Sequence, residues 1–205
     1  MLIKVAGYAL MGILAMMVLP GNFDITTNDL TFYGAATMIQ KDANGNEIFS
    51  QTVHNRIVDT GEDFLLDATF QDGATDVADA VQIGSICISD SAVAPVEGLT
   101  AATFDTNNSF TETNCKEDTT VTTATGVGTA VIGSLQFTCG GTNCADDDVV
   151  RIIGICQNDV TDDLDFNNCA TEGILFAAVD VTDTTLATSE TVDITYTFDI
   201  SSSGT

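Results

Sequence analysis

The chain is short of positive charge. Of its 205 residues only 5 are Lys or Arg, against 30 Asp or Glu, for a formal net charge of −25 at pH 7. Phosphate contacts need clustered Lys and Arg, whereas Lys41, Arg56, Lys116 and Arg151 stand singly. That balance excludes nucleic acid and an anionic membrane surface as partners. Tryptophan is absent, and Tyr8, Tyr33 and Tyr196 are the only tyrosines, so the aromatic platforms favoured in sugar recognition and protein hot spots are missing. A hydrolase triad would have to use the single histidine, His54, and no Gly-x-Ser-x-Gly occurs. Thirty acids make some carboxylate pair inevitable, but none sits in an apolar setting that would raise its pKa. These gaps point away from an enzyme, with an acid-dependent hydrolase as the reading left in that class. The two prolines, Pro20 and Pro95, exclude a Pro-rich linker or stalk.

What is present begins with a contrast. Residues 1–19 hold one charge, Lys4, followed by an apolar run from Val5 to Leu19, and all six cysteines lie in the acidic, Thr-rich remainder. A short positive region before seven to fifteen apolar residues is the pattern of a secretory segment, and an even cysteine count fits an oxidising compartment. As a helix, Val5 to Leu19 would rise about 22 Å at ~1.5 Å per residue, short of the ~30 Å bilayer core. A membrane anchor is therefore disfavoured. Residues 1–21 read either as a removable signal or as a retained, pilin-type assembly helix, and a membrane is a partner only through residues 1–19 if they are kept. Residues 22–205 read as the acidic, disulfide-bonded body, which carries 4 basic and 30 acidic side chains, or about −26. Repulsion of this size is relieved by salt, whose Debye length falls to ~3 Å at 1 M, or by bound cations. The sequence thus places the body in a secreted, extracellular or cell-surface setting.

With 44% hydrophobic residues the body can bury a sizeable core. In Glu190–Ile200, Val192, Ile194, Tyr196, Phe198 and Ile200 occupy every second position, which puts them on one face of a strand. Leu30–Lys41 and Glu47–Val58 flank Asp42-Ala-Asn-Gly-Asn46, where Asn44-Gly45 suits a tight hairpin turn. Further strands are expected at Val81–Ser89, Ala130–Thr138, Asp148–Gln157 and Gly173–Val181. The expected fold is an all-β sandwich of immunoglobulin-like or jelly-roll type, with about eight strands. One short helix is expected over Thr60–Gly73, with Thr60 as N-cap, Asp63 at N3, and Phe64, Leu65, Ala68 and Phe70 or Gln71 facing inward.

Ile83-Gly-Ser-Ile-Cys87-Ile-Ser-Asp90 and Ile153-Gly-Ile-Cys156-Gln-Asn-Asp159 look alike, and each precedes a loop with an Asn pair. This suggests two similar structural units. In each, the strand cysteine has a later cysteine near the end of its loop, which suggests Cys87–Cys115 and Cys156–Cys169 and leaves Cys139–Cys144 to close a tight turn. That is one of fifteen possible pairings. A zinc site is disfavoured because Cys139 and Cys144 have no second close pair and His54 is far upstream. Calcium is the better metal candidate. Hard cations want oxygen ligands, which Asp146, Asp147 and Asp148 and then Asp159, Asp162, Asp163 and Asp165 supply, although their spacing matches no defined calcium motif. Asp42-x-Asn44-x-Asn46 begins like an EF-hand loop but has Gly and Val where that loop needs others. Asn107-Asn108-Ser109 is a glycosylation sequon at Asn107 and marks an exposed loop.

The short leader, disulfide-bearing Thr/Asp-rich body, few aromatics and alternating terminal strand together resemble archaeal and bacterial secreted surface subunits, particularly pilus-like filament proteins that polymerise by strand exchange. The resemblance implies that an extended N-terminal segment of one subunit completes the sheet of the next. Here that segment is Asn22 to Tyr33, with Phe23, Ile25, Leu30 and Phe32 as its apolar teeth. The change of parity between the two pairs departs from a continuous donor strand. The function expected is thus a structural subunit of an extracellular homopolymeric filament. The alternative is a secreted, calcium-stabilised monomeric binding module or viral surface protein.

Overall fold

A computed structural model of the chain describes residues 33–70, 83–110, 114–118, 120–124, 128–140, 142–157, 169 and 174–200. Within the compact unit Thr31–Ser201, the described chain forms an all-β sandwich of two five-stranded antiparallel sheets, in the orders β2-β1-β10-β7-β6 and β3-β9-β8-β4-β5. The strands are β1 (Tyr33–Lys41), β2 (Glu47–His54), β3 (Arg56–Ile57), β4 (Ile83–Ser89), β5 (Cys115–Glu117), β6 (Thr122–Ala124), β7 (Thr129–Thr138), β8 (Asp148–Gln157), β9 (Leu175–Leu186) and β10 (Thr191–Asp199). Two helices accompany them, α1 (Asp59–Phe70) and α2 (Ala101–Thr106). None among the described residues is long and apolar enough to cross a membrane.

The expected β1–β2 hairpin is present. Gly45 takes φ +82° in its turn, which glycine alone adopts cheaply, and Asp42 ties the turn by accepting from the amides of Asn44 and Asn46 and from the Asn46 side chain. The strand expected over Glu47–Val58 is divided. At Asn55 the chain leaves β1, where its amide donates to Gly34 O, and β3 then joins β9 in the other sheet. β10 follows the alternation, with Val192, Ile194 and Tyr196 buried. Phe198 is half-buried and Ile200, beyond the strand, is 43% exposed. In β7, Ile132 and Phe137 both face the core although an odd number of positions separates them, because one extra residue enters β7 where the register with β10 shifts between Ile194 and Tyr196.

Helix α1 departs from its expected cap. Its first helical residue is Asp59, two before the Gly61 that a Thr60 cap implies, and Val58 O accepts from the amides of Gly61 and Glu62. Thr60 instead donates its hydroxyl to Leu175 O at 2.6 Å, pinning the helix to β9. Phe64 packs edge-on to Phe176 with ring centroids 6.4 Å apart. α2 was not expected from the sequence. Its N-cap is Thr100, whose side chain accepts from the Thr103 amide, and it buries Ala101 and Phe104.

The β3-β9-β8-β4-β5 sheet is buried on both faces. On its inner face Ile86, Ile88, Ile153, Ile155, Ala177 and Val179 meet Ala36, Met38, Phe137, Val192, Ile194 and Tyr196 of the other sheet. On its outer face Cys87, Ile152, Cys156, Leu175 and Ala178 are covered by Leu99, Ala101 and Phe104 from α2 and its approach. Each fully buried aliphatic or aromatic side chain contributes on the order of 1.5–3 kcal/mol. The two look-alike segments are therefore not two units. They are the neighbouring strands β4 and β8, with Ile88 opposite Ile153 and Cys87 opposite Gly154, and their likeness follows from a shared two-sided burial. Gly154 is required because a Cβ there would lie 2.8 Å from the Phe104 ring.

Candidate functional site

The described surface opens at the end of the sandwich where β4 and β9 begin and β10 finishes. There a cavity of about 420 Å³ is lined by Phe64 and Leu65 of α1, Ile83 of β4, Val121, Thr123 of β6, Ala130 and Ile132 of β7, Phe176 of β9, and Tyr196 and Phe198 of β10. Phe176 and Phe198 meet edge to face across the two sheets, with centroids 5.6 Å apart. Among the described residues no charged side chain lines it. The one titratable group, the Tyr196 phenol, is pushed up by burial, partly countered by its hydrogen bond from Asn55 Nδ2 at 2.8 Å. Among its described lining residues the groove offers shape and apolar surface.

Its rim carries β6, which among the described residues is the last strand of its sheet and pairs with Thr129–Val131 of β7. Above that point the edge of β7 is covered by one side chain of β5 and one that follows it. Lys116 Nζ donates to Gln136 O, and Asp118 Oδ2 accepts from the Gly133 amide at 2.7 Å. Burial lowers the Lys116 pKa. At Asp118 burial acts to raise the pKa, but the Gly133 and Thr120 amides and the Thr120 hydroxyl outweigh it and hold the carboxyl below its ordinary value. Covering an edge with charged side chains is a known way to block unwanted strand pairing.

The structure places the expected site residues unevenly. Phe23, Ile25, Leu30 and Phe32 lie outside the described residues, as do residues 1–21, while Tyr33, the last residue of the expected donor segment, belongs to β1. Tyr33 is opposite Asp199, next to the groove residue Phe198. Of the acidic loops, Asp159, Asp162, Asp163 and Asp165 lie outside the described residues. Asp146 accepts from the Thr188 hydroxyl, Asp148 accepts from the Ala145 amide at 2.7 Å, and Asp147 is exposed with φ +61°. These three carboxylates form no gathered ligand set among the described residues. Asn107 is exposed at the C-cap of α2. His54 is exposed on the edge strand β2.

All six cysteines are bridged, Cys87 to Cys115, Cys139 to Cys144 and Cys156 to Cys169. Cys87–Cys115 joins directly opposed residues of β4 and β5. Cys139–Cys144 closes the connection from β7 to β8. Three disulfides are typical of proteins that live in oxidising compartments. The spacing hid one feature of them, that Cys87, Cys156 and Cys169 have their sulfurs within 4.8 Å of one another. The nearest sequence signal was the likeness of the Cys87 and Cys156 strands.

Fold and groove define a disulfide-bonded, all-β sandwich with an apolar opening at one end. No protein-family model, no curated protein and no solved structure matches the chain.

Proposed function

We propose that the protein is the structural subunit of an extracellular homopolymeric filament assembled by strand exchange, in which residues 22–32 of one copy occupy the groove of the next. The observation that carries this reading is the apolar groove beside β6, the last strand of its sheet among the described residues, with Thr123 belonging to both. A strand added there gains main-chain hydrogen bonds from β6 while alternate side chains enter the groove. Residues 22–32 supply such side chains in Phe23, Ile25, Leu30 and Phe32 and reach at most about 40 Å when extended. Salt or calcium offsets the repulsion between acidic bodies, with the Asp146–Asp148 loop among the places where calcium would collect.

Sedimentation and negative-stain imaging of the chain from Asn22 onward, at high concentration and high salt, test this. Filaments are expected, while deletion of residues 22–32 gives soluble, less stable monomers that recover stability when the same segment is added as a peptide. An intact protein that stays monomeric sinks the reading. A secreted binding module then takes its place, favoured by a cavity within the roughly 300–1,000 Å³ range of small-molecule pockets and by its apolar lining.

A further inference from the structure

The outer core of the β3-β9-β8-β4-β5 sheet holds two bridges side by side. Cys87 and Cys156 sit on adjacent antiparallel strands, with Cys87 opposite Gly154 and Ser85 opposite Cys156, so both side chains leave the same face. Their sulfurs are 3.6 Å apart although each is bonded elsewhere, and Cys169 is within 4.8 Å of both. Cys87, Cys156 and Cys169 are fully buried and Cys115 is 2% exposed, under Leu99, Ala101 and Phe104. A thiolate released at Cys87 or Cys156 therefore has the sulfur of the other bridge as its neighbour.

We propose that Cys87–Cys115 and Cys156–Cys169 form one exchange unit, in which reduction of either by an external dithiol ends in a Cys87–Cys156 bond between β4 and β8. When the cover over these bridges opens and admits a dithiol, its thiolate attacks the Cys115 sulfur and Cys87 leaves as thiolate. The second thiol of the reductant then closes its own disulfide and releases Cys115 as a thiol. The Cys87 thiolate attacks the Cys156 sulfur, the Cys156–Cys169 bond breaks, and Cys169 leaves as a thiolate that takes a proton from water. The dithiol is oxidised by two electrons, and the protein exchanges two bridges for one bridge and two thiols. Attack at Cys169 instead releases Cys156, which attacks Cys87 and expels Cys115, so both routes converge on one product.

The product keeps the central strands stapled and frees β5 from its covalent tie. β5 is held to β4 by three residue pairs, and it carries Lys116 and leads into Asp118, whose side chains cover the β7 edge at Gln136 and Gly133. The exchange thus controls how firmly that edge is covered.

Limited reduction of the oxidised full chain with dithiothreitol, acid quenching, alkylation and peptide mapping tests the proposal. Among molecules that have lost one bridge from these four cysteines, the expected map has Cys115 and Cys169 alkylated and Cys87 linked to Cys156. Paired alkylation of Cys87 with Cys115, or of Cys156 with Cys169, beside an intact second native bridge would overturn it. As a second arm, a Cys115→Ser/Cys169→Ser chain oxidised in air should show no free thiol and a Cys87–Cys156 bond. Two free thiols in that folded variant would equally overturn it.

Discussion

Where β1 turns into β2 and β9 into β10, the connections are short and tied by their own polar groups; at the opposite end, side chains from both sheets and α1 surround an open apolar groove. At the first end Gln40 Nε2 donates to Thr185 O and to Glu190 Oε2, each at 2.9 Å, and Glu190 also accepts from the Ala187 amide. The Asp147 amide donates to Leu186 O, and Cys139–Cys144 closes the remaining connection. Scarce cations serve the same end and the same seams, with Lys41 paired to Asp193 and Arg151 bonded to Asp183 and to Asp90 O. The groove end has no such polar closure among its lining residues. On the proposed strand-exchange reading, the difference separates what the fold completes for itself from what a second copy would complete.

The largest expected effect lies toward the closed end. Phe137 is fully buried there, opposite Val192, and Phe137→Ala should cost about 3–5 kcal/mol, lowering the melting temperature by roughly 6–20 °C whether or not the protein assembles. Calorimetry on monomer and on polymer should show the same loss. Next come the bridges. Paired Cys→Ser replacement of Cys87–Cys115, with a sequence separation of 28, should cost about 3–4 kcal/mol, and that of Cys139–Cys144, with a separation of 5, about 2 kcal/mol. Denaturant unfolding would check the order.

At the groove the expectation is reversed. Thr123 is exposed on β6, so Thr123→Arg should change monomer stability by no more than about 0.5 kcal/mol while placing a long charged side chain where a donor strand would lie. Loss of sedimenting polymer with an unchanged melting temperature is the outcome that sharpens the contrast; a variant that polymerises normally would break it. The smallest effect concerns Asp118. Its folded pKa is depressed, so its contribution is fully present above the ordinary carboxylate value of about 3.9 and is lost as pH falls through the lower folded value. Asp118→Asn should lower the melting temperature by about 2 °C or less at pH 7, and the gap to the parent should close below about pH 4.

Much of the framework was legible because it rests on local pattern. The alternation of Val192, Ile194 and Tyr196 follows from strand geometry, the Asn44-Gly45 turn from φ preference, and the pairing of the six cysteines in chain order was suggested by their loops. Where tertiary context decides, the pattern misled. Asn55 reads as one more strand residue but is where the chain changes sheets, and Thr60 reads as a cap but is drawn to Leu175 O. The short α2 carries too little periodicity to announce itself, and without it the two-sided burial of β4 and β8 looked like a repeat. β5 and β6, of three residues each, are too brief to show alternation. The groove was not legible at all, since its lining comes from six elements and from Val121 far apart in sequence.

The most direct test of strand exchange places a photoreactive phenylalanine analogue at Phe23 and mixes unlabelled with nitrogen-15-labelled protein before irradiation. Strand exchange predicts cross-linked peptides that join residue 23 of one isotope to the Val121–Ala124 region or Leu65 of the other. Cross-links confined to one isotope, showing each copy filling its own groove, or none to the groove at all, would contradict it.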